Sequence, residues 1–304
     1  MTDFYDVLRR DEIVAFTLRK LYSEYGYTQY KMSKFEEYDL YVKNKDFLIS
    51  DNVITFTDTD GRLLALKPDV TLSIIKNTKD TPEGLIKTQY NENVYRVSGS
   101  TSCYKEIMQA GLECMGKVGI SEISEIITLA SKSLESISEN NILEISHLDI
   151  VEGLFDKYAL AEDARKRILY YLGQKNRDGV CELCNEYNVS KEGAELISSL
   201  ALIYGPVDAV LERLEGYRVN EKTENAINEL FEIARLQKDS ECYDRLRIDL
   251  SLVGDMKYYN GFALKGFIEG IPSGILSGGQ YDKLMKRMGR RARAIGFALY
   301  LDVL

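Results

Sequence analysis

The chain has 304 residues, 45% of them hydrophobic and 29% charged, which is enough for a sizeable core under a soluble surface and excludes a disordered chain. No apolar run approaches the roughly 20 residues of a bilayer span, and the N-terminal MTDFYDVLRRDE is too charged for a signal peptide, so a cytoplasmic protein is expected. A net charge of −9 argues against a broad nucleic-acid surface, and five cysteines, odd in number and irregularly spaced, read as reduced thiols and not a disulfide framework.

In chain order, Val14, Leu18, Leu21, Tyr22 and Tyr25 recur at helical spacing and Gly26 ends that helix. VITFT at Val53, the turn DTDG and LLAL at Leu63 read as a β-hairpin, and KPDVT then places Lys67 to Thr71 where a strand gives way to a helix. Ile86 to Val97 and Glu106 to Gly116 read as two strands joined by the Ser- and Gly-rich VSGSTSCYK. Ile123, Ile126, Ile127, Ala130, Leu134 and Ile137 give an amphipathic helix, followed by a strand from Ile142 to Ile150 with Leu143, Ile145 and His147 on one face. Residues 151–240 change character to short amphipathic helices, a helical insertion interrupting a sheet. RLRIDLSLV then resumes alternation at Leu246, Ile248, Leu250 and Leu252, and the closing segment is β-rich. The pattern is α+β: an antiparallel sheet flanked by helices, formed by 1–150 and 241–304.

Four stretches in order resemble the catalytic domain of histidyl-tRNA synthetase, a class II aminoacyl-tRNA synthetase: LKPDVT at Leu66, NVYRVSGSTSCYKEIMQAGLECMG at Asn93, KYYNGFALKGF at Lys257, and SGGQYDKL with AIGFALYLDVL at the end. They are similar to LRPEGT, FRxE with RxREFxQxGxExxG, GLDYYTGxxFE, and GGRYDxL with GFALGLERL. The resemblance implies the class II synthetase fold and assigns Asp69, Thr71, Gln109, Glu113, Tyr258 and Tyr259 to a pocket for free histidine. Their chemistry suits that ligand: carboxylates receive an α-ammonium or imidazole N–H, while an amide and phenols fix orientation.

The ATP-binding positions are eroded. Arg96 matches the arginine of FRxE and is left with either a phosphate or a pocket carboxylate to hold. Ser98 replaces the glutamate of that motif, Gly254 stands where the histidine-specific arginine precedes GLDYY, and Val303 replaces the arginine in the expected closing helix. Removing one preorganised cation from such a site typically costs ~10²–10³ in rate, so no catalytic residues are expected. YKMSKFEEYDL at Tyr30 resembles the dimer-forming segment but has Ser33 for its proline. Synthetases of this type continue into a C-terminal anticodon-binding domain; this chain stops at Leu304, so no such domain and no tRNA partner are expected.

This pattern of kept and lost positions resembles the regulatory subunits of short-form ATP phosphoribosyltransferase, the first step of histidine biosynthesis. It implies a dimer within a hetero-oligomer, a separate short catalytic subunit as partner, histidine as effector, and no cofactor or metal. Two alternatives stay open: a truncated synthetase paralogue that transfers an activated amino acid to another acceptor, and an amino-acid sensor with an unrelated partner. Elsewhere the bland readings are preferred. His147, the lone histidine, reads as a hydrogen-bonded core residue, Cys181 and Cys184 as incidental helix residues, Gly278 and Gly279 as close backbone packing, and the six cations between Lys283 and Arg293 as a solvated helix end and loop rather than a site for phosphate, an acidic partner or RNA.

Overall fold

The computed structural model describes residues 7–48, 53–97, 103–254, 256 and 258–304. Ser98, Lys257 and the middle of the loop after Val97 lie outside the described residues. Helix α1 (Arg10–Glu24) leads into strands β1 (Thr28–Gln29) and β2 (Phe35–Glu37), helix α2 (Tyr38–Lys43), the hairpin β3 (Thr55–Thr57) and β4 (Leu63–Leu66), and helix α3 (Thr71–Asn77). Two long strands follow, β5 (Leu85–Val97) and β6 (Tyr104–Gly116), then helix α4 (Ile120–Glu135) and strand β7 (Asn141–His147). A mostly helical stretch holds α5 (Leu148–Lys157), α6 (Glu162–Gly173), α7 (Arg177–Glu186), α8 (Lys191–Ser199), the short strand β8 (Tyr204–Pro206), α9 (Val207–Leu214) and α10 (Glu221–Gln237). The chain closes with β9 (Leu246–Asp249), β10 (Asn260–Ile268), β11 (Leu276–Gln280), α11 (Asp282–Arg287) and β12 (Arg293–Tyr300).

Nine strands form one sheet in the order β1-β5-β6-β12-β11-β10-β7-β9-β8, and β2-β4-β3 form a second. The large sheet is antiparallel except where β1 meets β5 and β7 meets β9, which run parallel. Among the described residues no helix is long and apolar enough to cross a membrane.

Directly paired residues in neighbouring strands share a face, so the register divides the sheet cleanly. One face carries Leu112, Phe297, Leu264 and Ile145, all buried. Helices α1 and α4 pack in the core they form, α4 through Ile123, Ile126, Ile127, Ala130 and Leu134. The buried Tyr22 hydroxyl bonds to Ser133 Oγ (2.9 Å) to join the two helices. The other face carries Val94, Met115 and Ala294, which share a second core with Ile74 and Ile75 of α3 and Leu284 and Met285 of α11. That cover is partial. Beyond it the same face presents Gln109, Glu113, Tyr300, Ser277 and Lys265, the polar half of an alternating pattern.

Three expected boundaries move. The strand at Ile142 ends at His147, because Leu148 to Ile150 open α5 and bury Leu148 and Ile150 in the first core. Alternation after Leu246 outlasts the strand: Leu250 is buried in a turn following Asp249, whose Oδ1 accepts the backbone N–H and the hydroxyl of Ser251. The closing GFALYLDVL is not a helix. Gly296 to Tyr300 belong to β12, a central strand bonded on both sides by β6 and β11, and only Leu301–Val303 form a single 3₁₀ turn.

His147 sits in the core: its Nε2 lies 3.0 Å from Glu229 Oε2 of α10, and its ring meets Phe262 edge-on with centroids 4.6 Å apart. Cys181 and Cys184 lie on α7, Cys184 buried. In the run Lys283 to Arg293, Arg290 Nη2 donates to Ile75 O (2.8 Å) at the end of α3, the Arg291 and Ala292 N–H groups donate to Asp80, and Arg293 pairs with Asp282. Five of the six cations are exposed, as a solvated helix end and loop requires, and Arg290 is the partly buried one that ties the loop to α3.

Gly278 is packed as its neighbours require, since a Cβ there would overlap Gly296 O and the Cα and Cβ of Phe297 on β12. Gly278→Ala is expected to destabilise the fold by about 1–3 kcal/mol through overpacking. A urea unfolding midpoint unchanged from that of the parent chain contradicts this packing.

Candidate functional site

Strand β4 ends at Leu66 and helix α3 begins at Thr71, so Lys67 to Val70 cross the partly covered face as a short connector. Lys67 is spent structurally, buried against the Glu92 carboxylate. Asp69 turns back on the helix start, where its Oδ1 accepts the Leu72 N–H (2.9 Å). Opposite it stand Gln109 and Glu113, four residues apart on β6 and therefore on the same face two pleats apart. The segment after Met256 brings Tyr258 and Tyr259 over the edge of this space, their rings edge-on with centroids 4.8 Å apart.

These elements enclose a cavity of about 130 Å³. All six residues assigned to an amino-acid pocket line it, Asp69, Thr71, Gln109, Glu113, Tyr258 and Tyr259, together with Arg96. Its volume falls below the roughly 300–1,000 Å³ of pockets for drug-sized ligands, which suits an amino acid better than a nucleotide.

Glu113 is the centre of the arrangement. Thr71 Oγ1 donates to its Oε1 (2.6 Å) and Tyr281 Oη to its Oε2 (2.6 Å). The carboxylate fits between strands because residue 296 on β12, directly paired with it, is glycine: a Cβ at Gly296 would collide with Glu113 Oε2 and Leu112 O. Among the described residues no cation lies within ion-pair distance, and burial pushes its carboxyl up to about 8. Burial raises Asp69 as well, opposed by the Leu72 N–H and the nearby Arg96. The phenols of Tyr258 and Tyr281 are driven well above their ordinary range by burial, so they stay protonated donors. The cavity thus offers two acids, an amide and hydroxyls, with the Arg96 guanidinium also on its lining.

Among the described lining residues Arg96 is the one cation, and its Nε donates to Pro68 O (3.0 Å). It makes no ion pair with a carboxylate among the described residues; burial raises both Asp69 and Asp302, and the Arg96 charge offsets part of that rise. Gly254 lies in an exposed turn outside the cavity, and Val303 is exposed on the closing 3₁₀ turn beside the acid Asp302. Neither position supplies a cation. Two residues that shape the cavity were missed by sequence reasoning: Tyr281, which the GGQYD motif contained, and Gly296, whose place beside Glu113 depends on the register of β6 with β12.

The family model described as histidyl-tRNA synthetase matches residues 6–304. The chain is 28% identical over 292 residues to a protein of Acetivibrio thermocellus named ATP phosphoribosyltransferase regulatory subunit, an alignment covering 94% of this chain and 69% of that one. In structure it resembles an ATP phosphoribosyltransferase regulatory subunit/histidyl-tRNA synthetase from Bacillus halodurans, with a TM-score of 0.85, 23% identity, and coverage of 100% of this chain and 79% of the other. It also resembles a chain of the ATP phosphoribosyl transferase HisG:HisZ complex from Thermotoga maritima, with a TM-score of 0.74 at 18% identity over 94% of this chain and 96% of that one. The ordered motifs, the class II synthetase-like sheet and a match running through almost the whole chain place it in the histidyl-tRNA synthetase family.

Proposed function

We propose that this chain is a non-catalytic regulatory subunit of ATP phosphoribosyltransferase, assembling in the cytoplasm with a separate short catalytic subunit and binding free histidine as feedback effector in the cavity around Glu113. The observation that carries the reading is the charge balance of that cavity. Among the described residues it holds two buried carboxyl groups and one guanidinium in about 130 Å³, a set suited to an α-ammonium and an imidazole N–H but not to a triphosphate. The relative from Acetivibrio thermocellus and the Thermotoga maritima complex support the choice of partner.

Residues 151–240 act in this reading as an insertion between two parts of one synthetase-like domain. Self-association as a dimer is supported by the small sheet, where exposed Phe35, inside the segment that resembles the dimer-forming one, meets exposed Phe56 edge-on at 5.2 Å. No tRNA substrate is needed. The regulation itself is linkage: histidine alters the activity of the assembly only as far as it binds two assembled states unequally.

Mixing the chain with a short catalytic subunit and following phosphoribosyl-ATP formation tests the proposal. The rate is expected to rise when this chain is added and to fall with histidine, and the chain alone should show no histidine-dependent pyrophosphate exchange. Robust exchange, or a catalytic subunit indifferent to the addition, refutes it.

A second expectation comes from Glu113. Its folded value, about 8, lies above its ordinary 4.5, so the native apo protein keeps a proton that the unfolded chain releases. Stability from this group is full below about 4.5, falls as pH rises towards about 8, and is flat above. Ligand binding runs the other way, because an ammonium gains from the ionised form only. Histidine affinity by calorimetry should therefore strengthen between pH 7 and 8.5, by up to about tenfold per unit where the acid is mostly protonated. Glu113→Gln should weaken binding and flatten both profiles; a variant that retains the parent pH dependence assigns it to another group.

A further inference from the structure

A second and much larger concavity, about 1410 Å³, adjoins the amino-acid cavity, with Tyr259 and Ser277 lining both. Its floor is the open face of the large sheet at β10 and β11, and its far wall is α6 of the helical stretch. The charges around it are unevenly matched. Among the described residues its two lining acids both have partners, Glu152 with Arg165 (3.1 Å) and, on the exposed side of α6, Glu162 with Lys166 (3.4 Å). Lys45, Lys265 and Lys283, from three separate elements, complete the lining cations, and none has a carboxylate within ion-pair distance among the described residues. Among the described residues Lys283 Nζ donates to a backbone carbonyl, that of Met256 (3.4 Å), while Lys265 Nζ lies over the Phe267 ring and shares its face with Glu144, its directly paired residue on β7 and a partial counter-charge. On a chain of net charge −9 this is a local positive surplus inside a concave wall, where low-dielectric sides concentrate the field. An aromatic platform stands beside it: Tyr170 on α6 is 66% exposed, next to the half-buried Leu169.

We propose that this cleft is a binding site for a nucleoside polyphosphate, its phosphates held by Lys45, Lys265 and Lys283 and its base stacked against Tyr170. Ammonium groups are point-charge partners for phosphate, and stacking on an exposed ring is available to any base. The cleft has the volume for a nucleotide that the cavity around Glu113 lacks. No bond is made or broken there. The site is distinct from the amino-acid cavity and stands independently of the function proposed for it.

The test is calorimetric titration of the full chain with ADP and, separately, with inorganic pyrophosphate at low and moderate ionic strength, set beside titrations with histidine. ADP should bind, more tightly than pyrophosphate because of stacking, and more weakly as salt rises. Lys45→Glu with Lys283→Glu, both on exposed side chains, should weaken ADP by at least about tenfold, as expected for losing charged hydrogen bonds. Tyr170→Ala should narrow the gap between ADP and pyrophosphate. Histidine binding should be unchanged in all these variants, and Lys265→Gln checks the third lysine without reversing a charge. Absence of ADP binding by the parent chain overturns the proposal. So does ADP binding that survives the lysine changes but is lost in Arg96→Ala, which would put the nucleotide in the inherited synthetase site. Failure of histidine binding alone bears only on the cavity.

Discussion

A carboxyl group buried in the middle of a sheet, with no cation within ion-pair distance among the described residues, sets the terms for the rest of this protein. Glu113 lies between β5 and β12 with hydroxyls of Thr71 and Tyr281 as its donors. Hydrogen bonds from neutral donors recover part of the desolvation of an ionised acid but not all of it, which is why its carboxyl holds its proton to about 8. Accommodating the group requires glycine at 296 on one neighbouring strand, and orienting it requires a helix start on one side and the end of β11 on the other. A purely structural core would fill that place with an aliphatic side chain at less cost in free energy. The buried acid is therefore best understood through what enters the cavity.

The same electrostatics separates amino-acid binding from adenylate chemistry. Activating a carboxyl with ATP needs preorganised positive charge on the phosphates. Here Arg96 is the lone cation among the described residues lining the cavity, bonded through Nε to Pro68 O, and neither Gly254 nor Val303 is itself a cation. Asp302 next to Val303 brings an acid to that end, raised by burial and partly offset by the charges of Lys105 and Arg96. The basic run after Lys283 does not repair the deficit near the cavity. Arg290 is used at the end of α3 and Arg293 on Asp282 and Val118 O.

Much of this was readable before any coordinates, for identifiable reasons. The long strands β5 and β6 and helix α4 carry strong period-two and period-3.6 patterns, and the six pocket residues sit in motifs whose order marks the family. What failed were places where a pattern outlasts its element. Leu250 and Leu252 continue the alternation of β9 into a turn held by Asp249. GFALYLDVL looks helical beside its relatives, yet pairing on both edges makes Gly296 to Tyr300 strand. The roles of Tyr281 and Gly296 were hidden for a different reason. Each acts on a residue more than 160 positions away, and only the register of the sheet says which residue that is.

Convergence on one side chain also explains how so small a ligand would reach so far. The two oxygens of Glu113 are tied to Thr71, the first residue of α3, and to Tyr281, which leads into α11, while its backbone is paired with β12. Those elements share the second core, and Arg290 in the loop after α11 closes the far end of α3. A cationic group arriving in the cavity would draw Glu113 towards its ionised form and strengthen both short hydrogen bonds together, since bonds to a charged acceptor are the stronger kind. The change would tighten α3 against α11 across a core too well packed to yield continuously. In the proposed regulator, the loss of ATP-binding cations is then connected to the signalling: an acid left uncompensated by the protein is one whose state the effector can set.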